Sequence, residues 1–192
     1  MNFRSKYYLP IILIILYSTT GLIPNLGSVD RIGPQWVYMS TINLLGLVYL
    51  WSSFKEFKSI FQKLFEFKPF IFLTFFVFYG LVSYFYADNQ IEVIIQFFRW
   101  ICVLIGFFIV SSILYFLEKD FLIISILFSV ILLIELYFPY STYFQLTSIT
   151  DYNIEFGNFL KGAAGNKNIS AASILIKTPF LFYLINETKN LP

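Results

Sequence analysis

Long apolar runs decide what this chain can become. Residues 69–86 carry no formally charged side chain, residues 91–116 carry only Glu92 and Arg99, and residues 121–138 carry only Glu135. A bilayer core is crossed by about 20 apolar residues in a helix. Three further runs, at residues 8–23, 36–54 and 169–186, bring the expected number of spans to about six. Within lipid each span must satisfy its own backbone hydrogen bonds, and the runs lack the two-residue alternation of barrel strands. The expected fold is therefore all-α, a polytopic transmembrane helix bundle in which residues 1–192 form a single transmembrane domain. Composition agrees, with 58% hydrophobic, 22% aromatic and only 12% charged residues and a mean hydropathy of +0.76. That mixture excludes an ordinary soluble domain.

Lysine and arginine placement orients the bundle. Arg4 and Lys6 precede the first run, Lys55, Lys58, Lys63 and Lys68 fill the second connection, and Lys119 lies in the fourth. The positive-inside bias predicts that both termini are cytoplasmic. The first run follows basic residues without a small-residue cleavage site, so a retained signal anchor is expected. Around the second connection, residues 55–68, Phe54, Phe57, Phe61, Leu64 and Phe65 recur at helical spacing between Lys55, Glu56, Lys58, Gln62 and Lys63. This describes an amphipathic helix at the cytoplasmic interface, either joining two spans or meeting lipid headgroups.

Several chemistries are excluded or unsupported. The chain has no histidine, which removes the usual neutral-pH acid–base group, a Ser/His/Asp triad and the commonest metal ligand. A lone cysteine, Cys102, allows no intrachain disulfide. No phosphate-binding glycine loop or zinc-ligand spacing occurs, and no metal site is expected. A net charge of +2 gives no footprint for nucleic acid.

Polar groups inside apolar runs need a reason, since a charge at the centre of a membrane helix costs about 2.5–3.5 kcal/mol on an insertion scale. Glu92, Gln96 and Arg99 share one helix face, with Arg99 about 12 Å below residue 91. Glu135 lies one turn before Pro139, and Asn166, Ser170, Ser173 and Lys177 follow one another at i, i+4, i+7 and i+11. Arg99, Glu135 and Lys177 are thus placed at a comparable outer level on three helices. Their structural reading is an Arg99–Glu135 pair, with Lys177 finding a carbonyl or another carboxylate. Their functional reading is a net positive pocket, two cations against one carboxylate, suited to a phosphate or diphosphate. The loop expected at residues 139–168 adds Tyr140, Tyr143, Phe144, Tyr152, Phe156 and Phe159 among Asp151, Asn153, Glu155, Asn158 and Lys161. Those residues form an interfacial aromatic belt or a sugar-stacking surface.

The run Phe156-Gly157-Asn158-Phe159-Leu160-Lys161-Gly162-Ala163-Ala164-Gly165-Asn166-Lys167-Asn168-Ile169-Ser170-Ala171-Ala172, followed by Pro179, resembles the glycine-asparagine-x-asparagine segment that opens a membrane helix in the O-antigen ligase and O-antigen polymerase family. The Asp30-Arg31-Ile32-Gly33-Pro34-Gln35-Trp36 stretch and the order of spans are also similar to that family. The resemblance implies a multi-pass protein of the inner membrane. Such a protein transfers a glycan from a polyprenyl diphosphate to a lipid or sugar acceptor at the periplasmic face, with no cofactor. Arg99 and Lys177 are then expected at the diphosphate with Gln96 and Glu135 beside them. Asn166 and Asn168, which lie on the matched motif, are expected to hydrogen-bond or open the helix. The family's catalytic arginine and histidine residues follow the matched region, so this chain resembles an amino-terminal half and is expected to be inactive by itself. A transporter component, with the polar faces lining a solute path, and a non-enzymatic structural subunit are the alternatives.

Overall fold

The computed structural model describes residues 5–24, 32–117, 121–147 and 167–189, and its described residues are helical throughout with short connections. The helices are α1 (Ser5–Ser18), α2 (Gly33–Ser52), α3 (Phe54–Glu66), α4 (Lys68–Gly80), α5 (Gln90–Phe116), α6 (Phe121–Thr147) and α7 (Lys167–Lys189). Three segments, Lys68–Phe85, Gln90–Phe116 and Phe121–Leu146, are long and apolar enough to cross a membrane, and the bent α2–α3 pair would add a fourth. Only 11% of the first two and 33% of the third is buried inside the protein. Helices this apolar with so little protein around them leave their phenylalanines and aliphatic residues facing outward, which is economical only in lipid. The chain is a membrane-associated helical protein.

Three of the six expected spans differ from a simple crossing: the run at 36–54 qualifies only as the bent α2–α3 pair, and those of α1 and α7 do not qualify. Helix α1 has 14 residues, about 21 Å at 1.5 Å per residue against a hydrocarbon core of about 30 Å. Its end is set by three successive hydroxyls that bond back to the preceding turn. Ser18 Oγ donates to the Ile15 carbonyl at 2.8 Å, Thr19 Oγ1 to Leu16 at 3.0 Å and Thr20 Oγ1 to Tyr17 at 2.9 Å. Such bonds compete with the helical ladder, and the chain passes into the 3₁₀ turn Thr20–Leu22. Helix α7 has the length, 23 residues, but Ser170, Ser173, Lys177, Asn186 and Glu187 dilute its apolarity.

The contacts gather into two compact units, one of Met1–Tyr38 with Asp120–Pro192 and one of Met39–Lys119. In the first, α6 packs along α7, and α1 packs on α6. Phe128 and Phe180 stack with ring centres 4.4 Å apart, Phe121 meets Phe180 and Tyr183, and Leu13, Ile14, Ile124 and Leu132 are buried. The buried Gln35 donates its side-chain N–H to the Ile23 carbonyl at 3.2 Å, and Thr19 Oγ1 lies 3.0 Å from Tyr38 Oη. These bonds tie the start of α2 to the end of α1.

In the second unit, α2 and α3 meet at 110° across Ser53. Phe57, Ile60 and Leu64 form the buried stripe of α3, while Lys55, Glu56, Lys58 and Gln62 are exposed. The stripe rests on α4 and α5, with Phe57 packed against Phe116 of α5 and Tyr49 of α2, and Phe61 against Phe108 of α5. Helix α2 touches α5 closely at Gly46, where an added Cβ would stand 2.8 Å from Ile109 Cγ2. One turn away, the buried Asn43 donates to the Cys102 carbonyl at 2.9 Å. Asn89 caps α5 by accepting from the Glu92 N–H at 3.1 Å, and Pro69 sits in the first turn of α4, where its missing N–H costs nothing.

The aromatic loop expected from residue 139 begins later. Helix α6 runs through Pro139 to Thr147, so Tyr140, Tyr143 and Phe144 are helical. Proline interrupts a helix by removing one N–H, here the one that would meet the Glu135 carbonyl. Beyond it, Ser141 Oγ and Thr142 Oγ1 both donate to the Phe138 carbonyl, and the helix continues to Thr147. Asp151, Tyr152, Asn153, Glu155, Phe156, Asn158, Phe159 and Lys161 lie outside the described residues.

A buried Glu135–Ser173–Lys177 cluster and a separate cleft

In the first unit the polar stripe of α7 and the carboxylate of α6 meet. Lys177 Nζ lies 2.8 Å from Glu135 Oε1 and 3.0 Å from Oε2, and it reaches Ser173 Oγ at 2.5 Å. Ser173 Oγ in turn donates to Glu135 Oε1 at 2.9 Å. The two charged side chains are 5% and 7% exposed. Ser173 and Lys177 stand one helical turn apart, so α7 presents hydroxyl and ammonium together, and α6 supplies the carboxylate opposite them.

Gly21, in the 3₁₀ turn after α1, closes the cluster. A Cβ there would stand 2.9 Å from Ser173 Oγ and 3.1 Å from Glu135 Oε1. The backbone therefore approaches the polar groups as only glycine allows, and the 3₁₀ turn packs on α7. Nothing in the local spacing of Thr19-Thr20-Gly21 marks this role. Its only trace is a glycine just after a run of hydroxyl residues at the end of an apolar helix.

The cluster is saturated and neutral. An ammonium has three N–H groups, and all three point at partners, two carboxylate oxygens and one hydroxyl. Ser173 gives its proton to the carboxylate and receives one from Lys177, so no lysine lone pair is turned toward the hydroxyl as a base. This arrangement clamps α6, α7 and the turn after α1. It differs from the expected pairing, because the cation that meets Glu135 is Lys177. One carboxylate faces one cation here, so the expected surplus of positive charge does not arise at this cluster. Arg99 belongs to the other unit, half-buried on α5. Asn168 is the second residue of α7, and Asn166 lies outside the described residues.

Gln96 lies in a different setting. Its side-chain N–H donates to Glu92 Oε1 at 2.6 Å, a bond between residues one turn apart on α5. Both line a cleft of about 420 Å³ between α5 and the end of α4, together with Ser83, Asn89, Phe76, Phe97 and Trp100. The expected sharing of a face by Glu92 and Gln96 is present. Arg99, assigned to the same face, is not among the lining residues. Among the described residues, no group of three or more histidine, cysteine, aspartate or glutamate side chains could hold a metal ion. No family model, curated protein or solved structure matches the chain.

Proposed function

We propose that this chain works in a multi-pass inner-membrane enzyme of the O-antigen ligase and polymerase kind, which moves a glycan from a polyprenyl diphosphate to a lipid or sugar acceptor. One observation carries the reading. The glycine-asparagine run through Gly165, Asn166, Lys167 and Asn168 leads directly into α7, which begins at Lys167 and brings Ser173 and Lys177 to the buried cluster. In this reading six segments cross or enter the bilayer, both termini are cytoplasmic, and α3 lies along the cytoplasmic interface with Lys55 and Lys58 toward headgroups.

The roles of the candidate residues then divide. Lys177 holds α6 against α7 and so fixes where the asparagine-bearing start of α7 stands. Asn166 and Asn168 hydrogen-bond the donor at that entrance. Arg99, whose planar guanidinium offers a fork of N–H donors, suits a diphosphate leaving group and would stabilise the charge that develops as the glycosidic bond breaks.

The test is binding of a fluorescent polyprenyl diphosphate to the purified protein in nanodiscs. Arg99→Gln, and Asn166→Ala with Asn168→Ala, should each weaken binding by about tenfold, the scale of one charge-assisted hydrogen bond. Unchanged affinity in both variants rejects the reading. A structural membrane subunit is the second reading, favoured by the neutral, saturated cluster; it predicts no binding by the wild-type protein at any attainable concentration.

A further inference from the structure

The cleft between α5 and the α4 end has a graded lining that glycan transfer does not require. Its polar groups, Ser83, Asn89, Glu92 and Gln96, lie toward the end of the two segments, and Phe76, Val77, Phe97 and Trp100 lie further along them. Along α5, Glu92 and Trp100 are separated by about 12 Å of helix rise. This is the polarity sequence of a lipid molecule, headgroup to upper chain.

Charge and hydrogen bonding narrow the headgroup. Among the described lining residues Glu92 alone is charged, so the cleft favours a cation and repels a free phosphate monoester. Gln96 spends an N–H on Glu92 Oε1, and Ser83 spends its proton on the Gly80 carbonyl at 2.7 Å. They leave acceptors, Glu92 Oε2, the Gln96 amide oxygen and the Ser83 hydroxyl lone pairs, beside the second Gln96 N–H and the Asn89 amide N–H groups. A primary ammonium supplies three donors to such a mouth, whereas a quaternary ammonium supplies none. A volume of about 420 Å³ takes a headgroup with the first methylenes and leaves the remaining chain along the outward-facing aromatic surface.

We infer that this cleft binds a primary-amine phospholipid, with the ammonium on Glu92, Gln96 and Ser83 and the glycerol and upper chains against Phe76, Phe97 and Trp100. The site stands on the membrane setting of the two helices and is independent of glycan transfer. Gly80 provides a separate handle on it. It lines the cleft in ordinary right-handed backbone geometry, φ −56° and ψ −30°, and a Cβ there meets nothing within 4 Å. Gly80→Leu therefore fills the cleft without straining the chain, and Glu92→Gln removes the charge at nearly constant shape.

The experiment is native mass spectrometry of the full chain, extracted from vesicles of equimolar phosphatidylethanolamine and phosphatidylcholine with matched acyl chains. The wild-type protein should retain the ethanolamine lipid over the choline lipid by about threefold or more, as one partly exposed ion pair with added hydrogen bonds provides. Glu92→Gln should bring the ratio near one, and Gly80→Leu should lower retention of both lipids and abolish the preference. A wild-type ratio near one, or a preference that survives either variant, overturns the proposal. If Glu92→Gln does not fold, the Gly80→Leu result decides alone.

Discussion

Glu135 and Lys177 are valuable to each other and costly alone. A buried carboxylate and ammonium each carry a desolvation penalty of several kcal/mol that only the partner and its hydrogen bonds offset. Removing one member orphans the other, so Glu135→Ala or Lys177→Met should each destabilise the protein by about 3–5 kcal/mol. The double variant should cost clearly less than the sum, since no charge is left unpaired. Thermal unfolding of the four proteins in detergent reads the cycle, and strict additivity would show that the two side chains are not coupled. Gly21 belongs to the same unit of cost. Gly21→Val must push Ser173 and Glu135 apart, and a loss of about 1–3 kcal/mol is expected from such overpacking. Because the nearest obstacle is the Ser173 hydroxyl, Ser173→Gly should restore part of that loss in the same unfolding assay.

At the scale of elements, α3 shows how a helix with an amphipathic pattern can satisfy its apolar face. Part of its stripe is taken up by protein: Phe57 is 0% exposed and lies among Tyr49, Phe61 and Phe116, whereas Phe54 and Phe65 face outward. Phe57→Ala should therefore cost about 3–5 kcal/mol by transfer and cavity terms together, whereas Lys58→Ala, on the exposed face, should fall within about 0.5 kcal/mol of wild type. Chemical unfolding of the purified variants separates these outcomes; equal, small effects would mean that the stripe is not packed. Lys63 is held differently from its neighbours, with its ammonium bonded to the Tyr115 hydroxyl and over the same ring. The pattern of alternating faces in residues 55–68 was legible as a helix. Which surface would cover that helix was not, because a lipid interface and the flank of another helix ask for the same spacing of apolar residues.

For the whole molecule, orientation is the property most open to test. If Lys68–Phe85 crosses the bilayer with the lysine-rich connection inside, single cysteines at positions 58 and 88 should face opposite sides. In a Cys102→Ser background, a membrane-impermeant maleimide applied to intact cells should label Asp88→Cys and leave Lys58→Cys unlabelled until the cells are opened. The reverse pattern inverts the protein, and equal labelling of both from outside removes that crossing.

Hydropathy and spacing alone determined that this chain is helical and seeks lipid. Apolar runs of this length leave no other solvent, and lipid leaves the backbone no partner but itself. The same spacing placed Ser173 and Lys177 on one face of α7, since one turn of helix is a local geometric fact. Tertiary structure decided the partners. Arg99 and Lys177 are both cations within reach of an outer-level carboxylate on sequence grounds, and only the packing of α7 along α6 selects Lys177 for Glu135. Packing also decided that the turn at Gly21 closes over that pair and that Gln96 and Glu92 line a cleft beside α4. Helix α6 passed through Pro139 because one missing backbone hydrogen bond is a smaller cost than exposing a broken ladder beside apolar neighbours. Periodicity is written along one helix, but the meeting of polar groups from different helices is fixed by which surfaces pack.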